Sequence, residues 1–385
     1  MRKYKEVFEY KEPIECAKSI CSLHTEMTDA QLGFLCGLIR DKQPKKIVEV
    51  GVASGGTTLV ILQCLKMLEL NSSLFSVDLN ERLYSDKEKE TGYVARNNEK
   101  DDRYASLYHR YLLGKYLPEV LPEIDNGIDF LILDTVHHLP GEVLDFLAAL
   151  PLLKNGATVV LHDVALQHEK ETDNNCFATQ ILFSCVTAEK YINNKDTYPN
   201  IAAFCIGSDT YENANDVFSS LTLTWNYVLS SKETNIYREW YNKFFNERSC
   251  RLFEQALEMN IKTLSRVDPC FYDYMQTLCD AVLTRYESVY LYGAGKRGKL
   301  FYKALDEFWG EKEGKCRFVV SNIKDSQKDC VAWESIKNEN DKLIILTANS
   351  FEIKERLRQS RVHWLDVPSQ IWRDLETKYG SEEEV

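Results

Sequence analysis

Two spacings of apolar positions alternate along the chain from Lys45 onward. Short, nearly unbroken apolar runs at residues 46–50, 73–77, 130–133 and 158–161 predict strands covered on both faces. Between them, residues 57–70 and 141–153 carry apolar side chains every three or four positions, the period of a helix with one buried face. Strand and helix in turn make a βαβ rhythm, which predicts a parallel sheet with helices on both faces. Ahead of it, Leu32, Phe34, Leu35, Leu38 and Ile39 follow a Thr28 to Gln31 capping box and predict a helix over residues 28–40 laid on that sheet.

The stretch from Asn80 to Arg103 breaks the rhythm. It is dense in Glu, Lys, Asp and Asn, and reads first as a solvated insertion and second as a lid over a pocket. Residues 201–207 predict a late strand. Residues 216–264 predict a long helical stretch whose aromatics, among them Phe218, Trp225, Tyr237, Trp240 and Tyr241, read as packing rather than as a ligand cage. A second rhythm begins near Tyr286, with strands at 289–292, 317–321, 342–346 and 362–367 and helices at 298–307 and 351–359. At 385 residues the chain exceeds the about 250 to 300 at which single cores stop growing, so two domains are expected. They are residues 1–282, ending in a helical extension from about residue 212, and residues 283–385. The expected fold class is α/β: a doubly wound, mostly parallel sheet with a second, smaller α/β domain.

Composition narrows the function. Hydrophobic residues make up 44% of the chain, enough for a buried core and too many for a disordered chain. Lys plus Arg 47 against Asp plus Glu 59 leaves a formal charge of -12, which disfavours nucleic acid as a partner, since a polyphosphate needs a basic face. The apolar runs fall far short of the roughly 20 residues that cross a bilayer. The charged start, Met1-Arg2-Lys3-Tyr4-Lys5-Glu6, has no apolar signal region behind it, so a cytoplasmic location without membrane insertion is expected. The 12 cysteines include no Cys-x-x-Cys pair and are expected as reduced, buried thiols.

The strongest chemical signal is Val48-Glu49-Val50-Gly51-Val52-Ala53-Ser54-Gly55-Gly56-Thr57, a turn between the first strand and first helix of the rhythm. Glycines there let the backbone approach a ligand and let amides at the helix start face it. The spacing is neither the Gly-x-Gly-x-x-Gly of a dinucleotide site nor a Gly-Lys-Ser/Thr triphosphate loop, so a ligand without phosphate is implied. The next strand ends in Asp78, where a carboxylate can accept both hydroxyls of a ribose. Glu49 and Asp78 would bracket a positively charged nucleoside. These residues resemble the first motif and the ribose-binding acid of class I S-adenosylmethionine-dependent methyltransferases, which have a Rossmann-like fold. The resemblance implies S-adenosylmethionine as cofactor, with contacts from Glu49, Gly51, Ser54, Gly55, Gly56, Asp78 and Asp134.

A second constellation follows the next two strands: Leu133-Asp134-Thr135-Val136-His137-His138 and Leu161-His162-Asp163-Val164. Asp134, His137, His162 and Asp163 would emerge at the carboxyl edge of neighbouring strands, where open α/β sheets bind ligands. Two carboxylates with an imidazole can hold a hard divalent ion, and a neutral histidine can take a proton near pH 7. Together with Gly141, Asp145, Leu152, Leu153 and Gly156, the segment is similar to the macrocin-type sugar O-methyltransferase branch of the family, the Methyltransferase 24 type. This resemblance implies His137 as catalytic base and Asp134 and Asp163 as its catalytic partners. It also implies a magnesium site at Asp134 and Asp163, with His162 replacing one acid of the branch's metal pair. It covers roughly residues 25–207 and departs at Val136 and Leu139, where the branch carries an acid and an aromatic. The implied function is methylation of a hydroxyl on a small sugar or glycan acceptor, in surface-polysaccharide or natural-product biosynthesis.

The third signal, Gly293-Ala294-Gly295-Lys296-Arg297-Gly298, satisfies Gly-x-Gly-x-x-Gly after a strand and before a helix. The strand after it ends in Ser321-Asn322, without the acid that would hold a ribose. A nucleotide or nucleotide-sugar site, making the protein bifunctional, and an interaction or homo-oligomer surface both stay open. So does a cofactor-binding protein without catalysis.

Overall fold

The computed structural model describes residues 4–99, 104, 106–168, 176–193, 199–260, 271–309, 314–321, 330–338, 341–348 and 350–379. The chain divides into two compact units, Met1–Leu223 with Asn235–Ala256, and Thr224–Thr234 with Leu257–Val385.

The first unit is built on seven strands: β1 Lys46–Val50, β2 Ser73–Asp78, β3 Tyr108–Leu113, β4 Ile128–Leu133, β5 Leu153–His162, β6 Glu189–Ile192 and β7 Ile201–Cys205. Their order is β3-β2-β1-β4-β5-β7-β6, parallel except for β7, which runs antiparallel to both its neighbours. The chain moves outward from β1 to β3 and then returns to β4, so the crevice between the carboxyl ends of β1 and β4 is the switch point where such sheets bind ligands. This is the expected doubly wound, Rossmann-like sheet. β1 and β4 are covered on both faces, and Ile47, Val48, Phe130, Leu131, Ile132 and Leu133 are fully buried, the physical reason for their unbroken apolar sequences. The helix Asp29–Lys42 starts at the expected capping box, in which Thr28 Oγ1 accepts from the Gln31 amide and Gln31 Oε1 accepts from the Thr28 amide. Its Leu32, Phe34 and Leu35 share one apolar cluster with Leu59 and Val60 of the helix Gly56–Met67.

β3 has no apolar run to announce it. At the sheet edge it reads Tyr108, His109, Arg110 and Tyr111 before Leu112 is buried. The stretch after Asp78 also departs from expectation, because it is not a wholly solvated insertion. Val94 and Ala95, on the helix Tyr93–Asn98, are buried in the main apolar cluster. The Gly92 and Val94 amides donate to the carbonyls of Ala53 and Ser54, each at 2.9 Å, so this segment braces the glycine turn from below. Residues 100–103 lie outside the described residues.

The expected single helical stretch over residues 216–264 is three helices, Ala214–Ser220, Ser231–Phe244 and Glu247–Asn260. The last begins where Asn246 Oδ1 accepts from the Ser249 amide at 3.0 Å. Residues 261–264 lie outside the described residues. The aromatics pack as expected: Trp240 Nε1 donates to the Ala148 carbonyl at 2.9 Å and Tyr241 to the Leu144 carbonyl at 3.0 Å, both on the helix Gly141–Ala149.

The second unit carries a five-stranded, all-parallel sheet: β8 Ser288–Tyr292, β9 Cys316–Val320, β10 Cys330–Ala332, β11 Lys342–Leu346 and β12 His363–Asp366, in the order β10-β9-β8-β11-β12. Tyr274, Met275, Leu278 and Val282 lie in one apolar cluster with Val289, Leu300 and Leu343. Eleven described cysteines are all free thiols, Cys36, Cys64, Cys176, Cys279 and Cys316 buried among them. Among the described residues no helix is long and apolar enough to cross a membrane.

Candidate functional site

Strand register lines up the site. Val50 pairs with both Val77 and Leu133, and Leu133 pairs with Leu161, so Gly51, Asp78, Asp134 and His162 emerge side by side one residue further on. The ladder continues through them, with the Gly51 amide on the Val77 carbonyl and the Asp134 amide on the Val50 carbonyl, each at 2.9 Å.

The glycine turn is held against its surroundings at several points. Gly51 has φ +92°, and a Cβ there would lie 1.7 Å from the Asp134 carbonyl oxygen. At Gly55, φ +85°, a Cβ would meet the Gly92 Cα at 2.7 Å, and at Gly56 it would meet the His24 carbonyl oxygen at 2.0 Å. Asp78 pins the turn from the second strand: its Oδ2 accepts from the amides of Val52 at 2.9 Å and Ala53 at 3.2 Å, and its Oδ1 from the Asn80 amide at 2.8 Å. Ser54, expected as a cofactor contact, instead donates its hydroxyl to the His24 carbonyl at 2.7 Å and ties the turn to the amino-terminal segment.

Glu49 is buried beneath this turn. Its Oε2 accepts from Thr58 Oγ1 at 2.8 Å and Ser76 Oγ at 2.6 Å, while Oε1 has no hydrogen-bond partner among the described residues. Burial pushes its pKa up to about 7, against the opposing hydrogen bonds from Ser76 and Thr58. Behind it runs a chain that the sequence pattern did not reveal. Ser76 Oγ lies 3.0 Å from His109 Nε2, His109 Nδ1 lies 2.6 Å from Glu99 Oε2, and Tyr111 donates to Glu99 Oε1 at 2.7 Å. A buried carboxylate oxygen without a donor is costly, and a cationic ligand removes the cost.

A stability prediction follows from the sign of that shift. The folded pKa of about 7 exceeds the starting value of 4.5, so the group favours the native state below pH 4.5 and loses that contribution as pH rises through 7. The loss is at most about 3 kcal/mol. Glu49→Gln cannot ionise, so its unfolding free energy relative to the parent should rise between pH 5 and pH 8. Urea denaturation at both values checks this, and parallel pH profiles for the two proteins would refute it.

The second cluster gathers at the ends of β4 and β5. His162 Nδ1 lies 2.9 Å from Asp134 Oδ1 and 3.4 Å from Asp163 Oδ2, and its Nε2 lies 3.4 Å from Gln31 Oε1. His137 Nε2 lies 3.1 Å from Asp163 Oδ2 and 3.8 Å from Asp134 Oδ1. His137 and Asp163 both sit at φ +57°, a left-handed conformation that costs a non-glycine residue on the order of 1 kcal/mol or more and gathers at functional sites. Asn200 Nδ2 donates to Asp163 Oδ1, and Thr179 donates to the Asp163 carbonyl at 2.8 Å, holding that conformation.

The groups of the cluster shift one another's titration. Burial opposes charge on Asp134, yet His162 and then His137 hold it below the usual carboxylate range. Burial dominates at Asp163 and pushes it up despite both imidazoles. At His162 burial opposes the proton, but Asp134 and then Asp163 outweigh it and raise the pKa. At His137 burial is likewise outweighed, by Glu142 first and then Asp134 and Asp163, and the pKa is pushed up to about 9. The carboxylates around His137 thus favour its protonated form. Glu142, which the sequence reading passed over, is fully buried, accepts the His137 amide at 2.7 Å and places Oε1 3.2 Å from His137 Nδ1. An acid five residues past the histidine, on the buried face of a helix start, was the signal for it.

The three expected metal residues do come together. Asp134, His162 and Asp163 each offer one atom within 4.8 Å of the others, a donor set that fits a divalent cation. The expected base, His137, stands beside them with its side chain 15% exposed. Of the remaining expected residues, Gly51, Gly55 and Gly56 lie in the turn that Asp78 pins, and Glu49 is buried against Thr58 and Ser76.

Residues 48–164 match the model of a protein family described as a methyltransferase domain. Among solved structures, the chain is similar to an O-methyltransferase from Bacillus cereus in complex with SAH, at 15% identity over 51% of this chain and 89% of that chain, with a TM-score of 0.36. It is similar to the O-methyltransferase TomG from Streptomyces achromogenes, involved in tomaymycin synthesis and bound to SAM, at 19% identity over 52% and 92% of the two chains, with a TM-score of 0.35. A putative O-methyltransferase from Klebsiella pneumoniae matches at 16% identity over 51% and 88%, with a TM-score of 0.36. No curated protein matches the chain in sequence.

Proposed function

We propose that the first unit is an S-adenosylmethionine-dependent O-methyltransferase of the macrocin-type branch that acts on a hydroxyl of a sugar or glycoside. The observation that carries this reading is Glu49, a buried carboxylate with one oxygen lacking a donor, beneath a turn where Gly51 and Gly55 exclude any side chain. These residues fit the cofactor. Glu49 Oε1 would accept from the cationic amino-acid end, the glycine turn would meet its chain, and Asp78, on the neighbouring strand, would face the ribose. When bound, S-adenosylmethionine supplies a methyl group already activated by a sulfonium.

The protein then has to align the acceptor oxygen and receive its proton. Asp134 and Asp163 accept from neighbouring acceptor hydroxyls; with His162 they would hold a divalent cation such as magnesium, which would supply a positive anchor for the same oxygens. His137, kept in place by Glu142 and Asp163 and partly exposed, releases its own proton to solvent and then takes one from the hydroxyl.

The test is turnover by the full chain with S-adenosylmethionine and a panel of nucleotide sugars and glycan precursors, with and without chelator. Methyl transfer to a sugar hydroxyl is expected. Tight cofactor binding with no transfer to any acceptor would refute the catalytic reading, and failure to bind the cofactor would refute the whole.

A further inference from the structure

The second unit contains a hollow that the proposed methyl transfer does not use. Its sheet has a switch point of its own, because the chain goes from β8 to β9 and β10 on one side and then returns to β11 and β12 on the other. At the carboxyl ends of β11 and β12 lies a cavity of about 630 Å³, within the range of small-molecule sites. Three cationic side chains line it, Arg297, Lys354 and Arg373, together with two carboxylates, Asp366 and Glu376, and the indole of Trp372.

These groups come from four separate elements. Arg297 is set by the glycine-rich turn after β8: a Cβ at Gly298 would meet the Gly293 carbonyl oxygen at 1.9 Å, so only glycine lets the helix Lys296–Phe308 start this close to the strand end. Lys354 stands on the helix Phe351–Gln359, Asp366 ends β12, and Trp372, Arg373 and Glu376 lie on the helix Ser369–Tyr379. Lys354 pairs with Asp366 inside the cavity, and Arg297 Nε lies 3.6 Å from Glu376 Oε1 with its guanidinium 5.4 Å from the centre of the Trp372 ring. Lys354 and Arg297 are thus held in place, and the three cations exceed the acids by one. An anion entering here gains charge-assisted hydrogen bonds from preformed donors, while the carboxylates it displaces from the cations become free to accept from hydroxyls.

We propose that this cavity binds a phosphorylated sugar, with the phosphate on Arg297, Lys354 and Arg373 and the sugar hydroxyls on Asp366 and Glu376. The placement separates this from a dinucleotide site. The hollow is on the β11 and β12 flank, whereas a dinucleotide extends its first ribose to the acid after the second strand, and β9 is followed by Ser321.

Calorimetry on the full chain tests it, with glucose 1-phosphate, uridine diphosphate glucose, inorganic phosphate and NAD as probes. Saturable binding of a sugar phosphate, at least about tenfold tighter than inorganic phosphate, is expected. Arg297→Ala and Lys354→Ala should each weaken it about tenfold or more, with binding of S-adenosylmethionine to the first unit unchanged as a check that the chain is folded. No binding of either sugar phosphate, affinity that survives both substitutions, or NAD binding more tightly than the sugar phosphates would each overturn the proposal.

Discussion

Replacing His137 with alanine is expected to lower kcat by about a hundred- to ten-thousand-fold while changing the affinity for S-adenosylmethionine by less than about twofold. The imidazole Nε2 faces both cluster carboxylates, at 3.1 Å from Asp163 and 3.8 Å from Asp134. The Glu49 carboxylate is bonded by Thr58 and Ser76 and not by His137. Because His137 sits at φ +57°, alanine adds backbone strain on top of the lost ring, so His137→Asn is the companion variant. Asparagine tolerates that conformation and keeps the backbone bonds to Glu142 and Ala178, yet it cannot act as a base near neutral pH. Both variants should lose turnover to a similar extent. Steady-state kinetics and equilibrium cofactor binding decide the matter. Unchanged kcat would remove His137 from the chemistry, and a parallel loss of cofactor binding would show that it belongs to the cofactor site.

The largest structural effect is expected from Gly51→Ala. The added methyl would sit 1.7 Å from the Asp134 carbonyl oxygen, a backbone atom fixed by the ladder between β1 and β4, at a φ of +92°. Neither neighbour can give way without shifting the strand that presents Asp134. Destabilisation of about 3 kcal/mol or more and loss of measurable cofactor binding should follow. Gly156 supplies the comparison, since it has φ +86° and nothing within 4 Å of an added Cβ. Gly156→Ala should therefore pay only the conformational penalty, about 1 kcal/mol. Equal losses for the two variants in thermal or urea unfolding would show that the close approach at Gly51 is not what requires glycine.

Much of this architecture is readable in one dimension. The apolar runs that became β1, β2, β4 and β5 had to be strands, because only an extended segment covered on both faces accommodates such runs between helical spacings. β3 was missed for the complementary reason: at the edge of the sheet its burial is partial, and Arg110 and His109 mask the signal. The glycine turn and Asp78 were visible because backbone conformation limits which residues a turn can hold, and that limit is local.

Local sequence therefore determined the sheet, the turn at Gly51 and the presence of Asp134, His137, His162 and Asp163 at strand ends. Tertiary structure alone decided what those groups are chemically. Gln31, from the amino-terminal helix, meets His162, and Glu142 reaches back to His137. His109 and Glu99 stand behind Ser76 and Glu49, and the Ser54 hydroxyl turns away to His24. Periodicity follows from covalent spacing, whereas the raised pKa of His137 and the Glu49 oxygen without a partner among the described residues follow from distances and burial set by strand register, which no single segment contains.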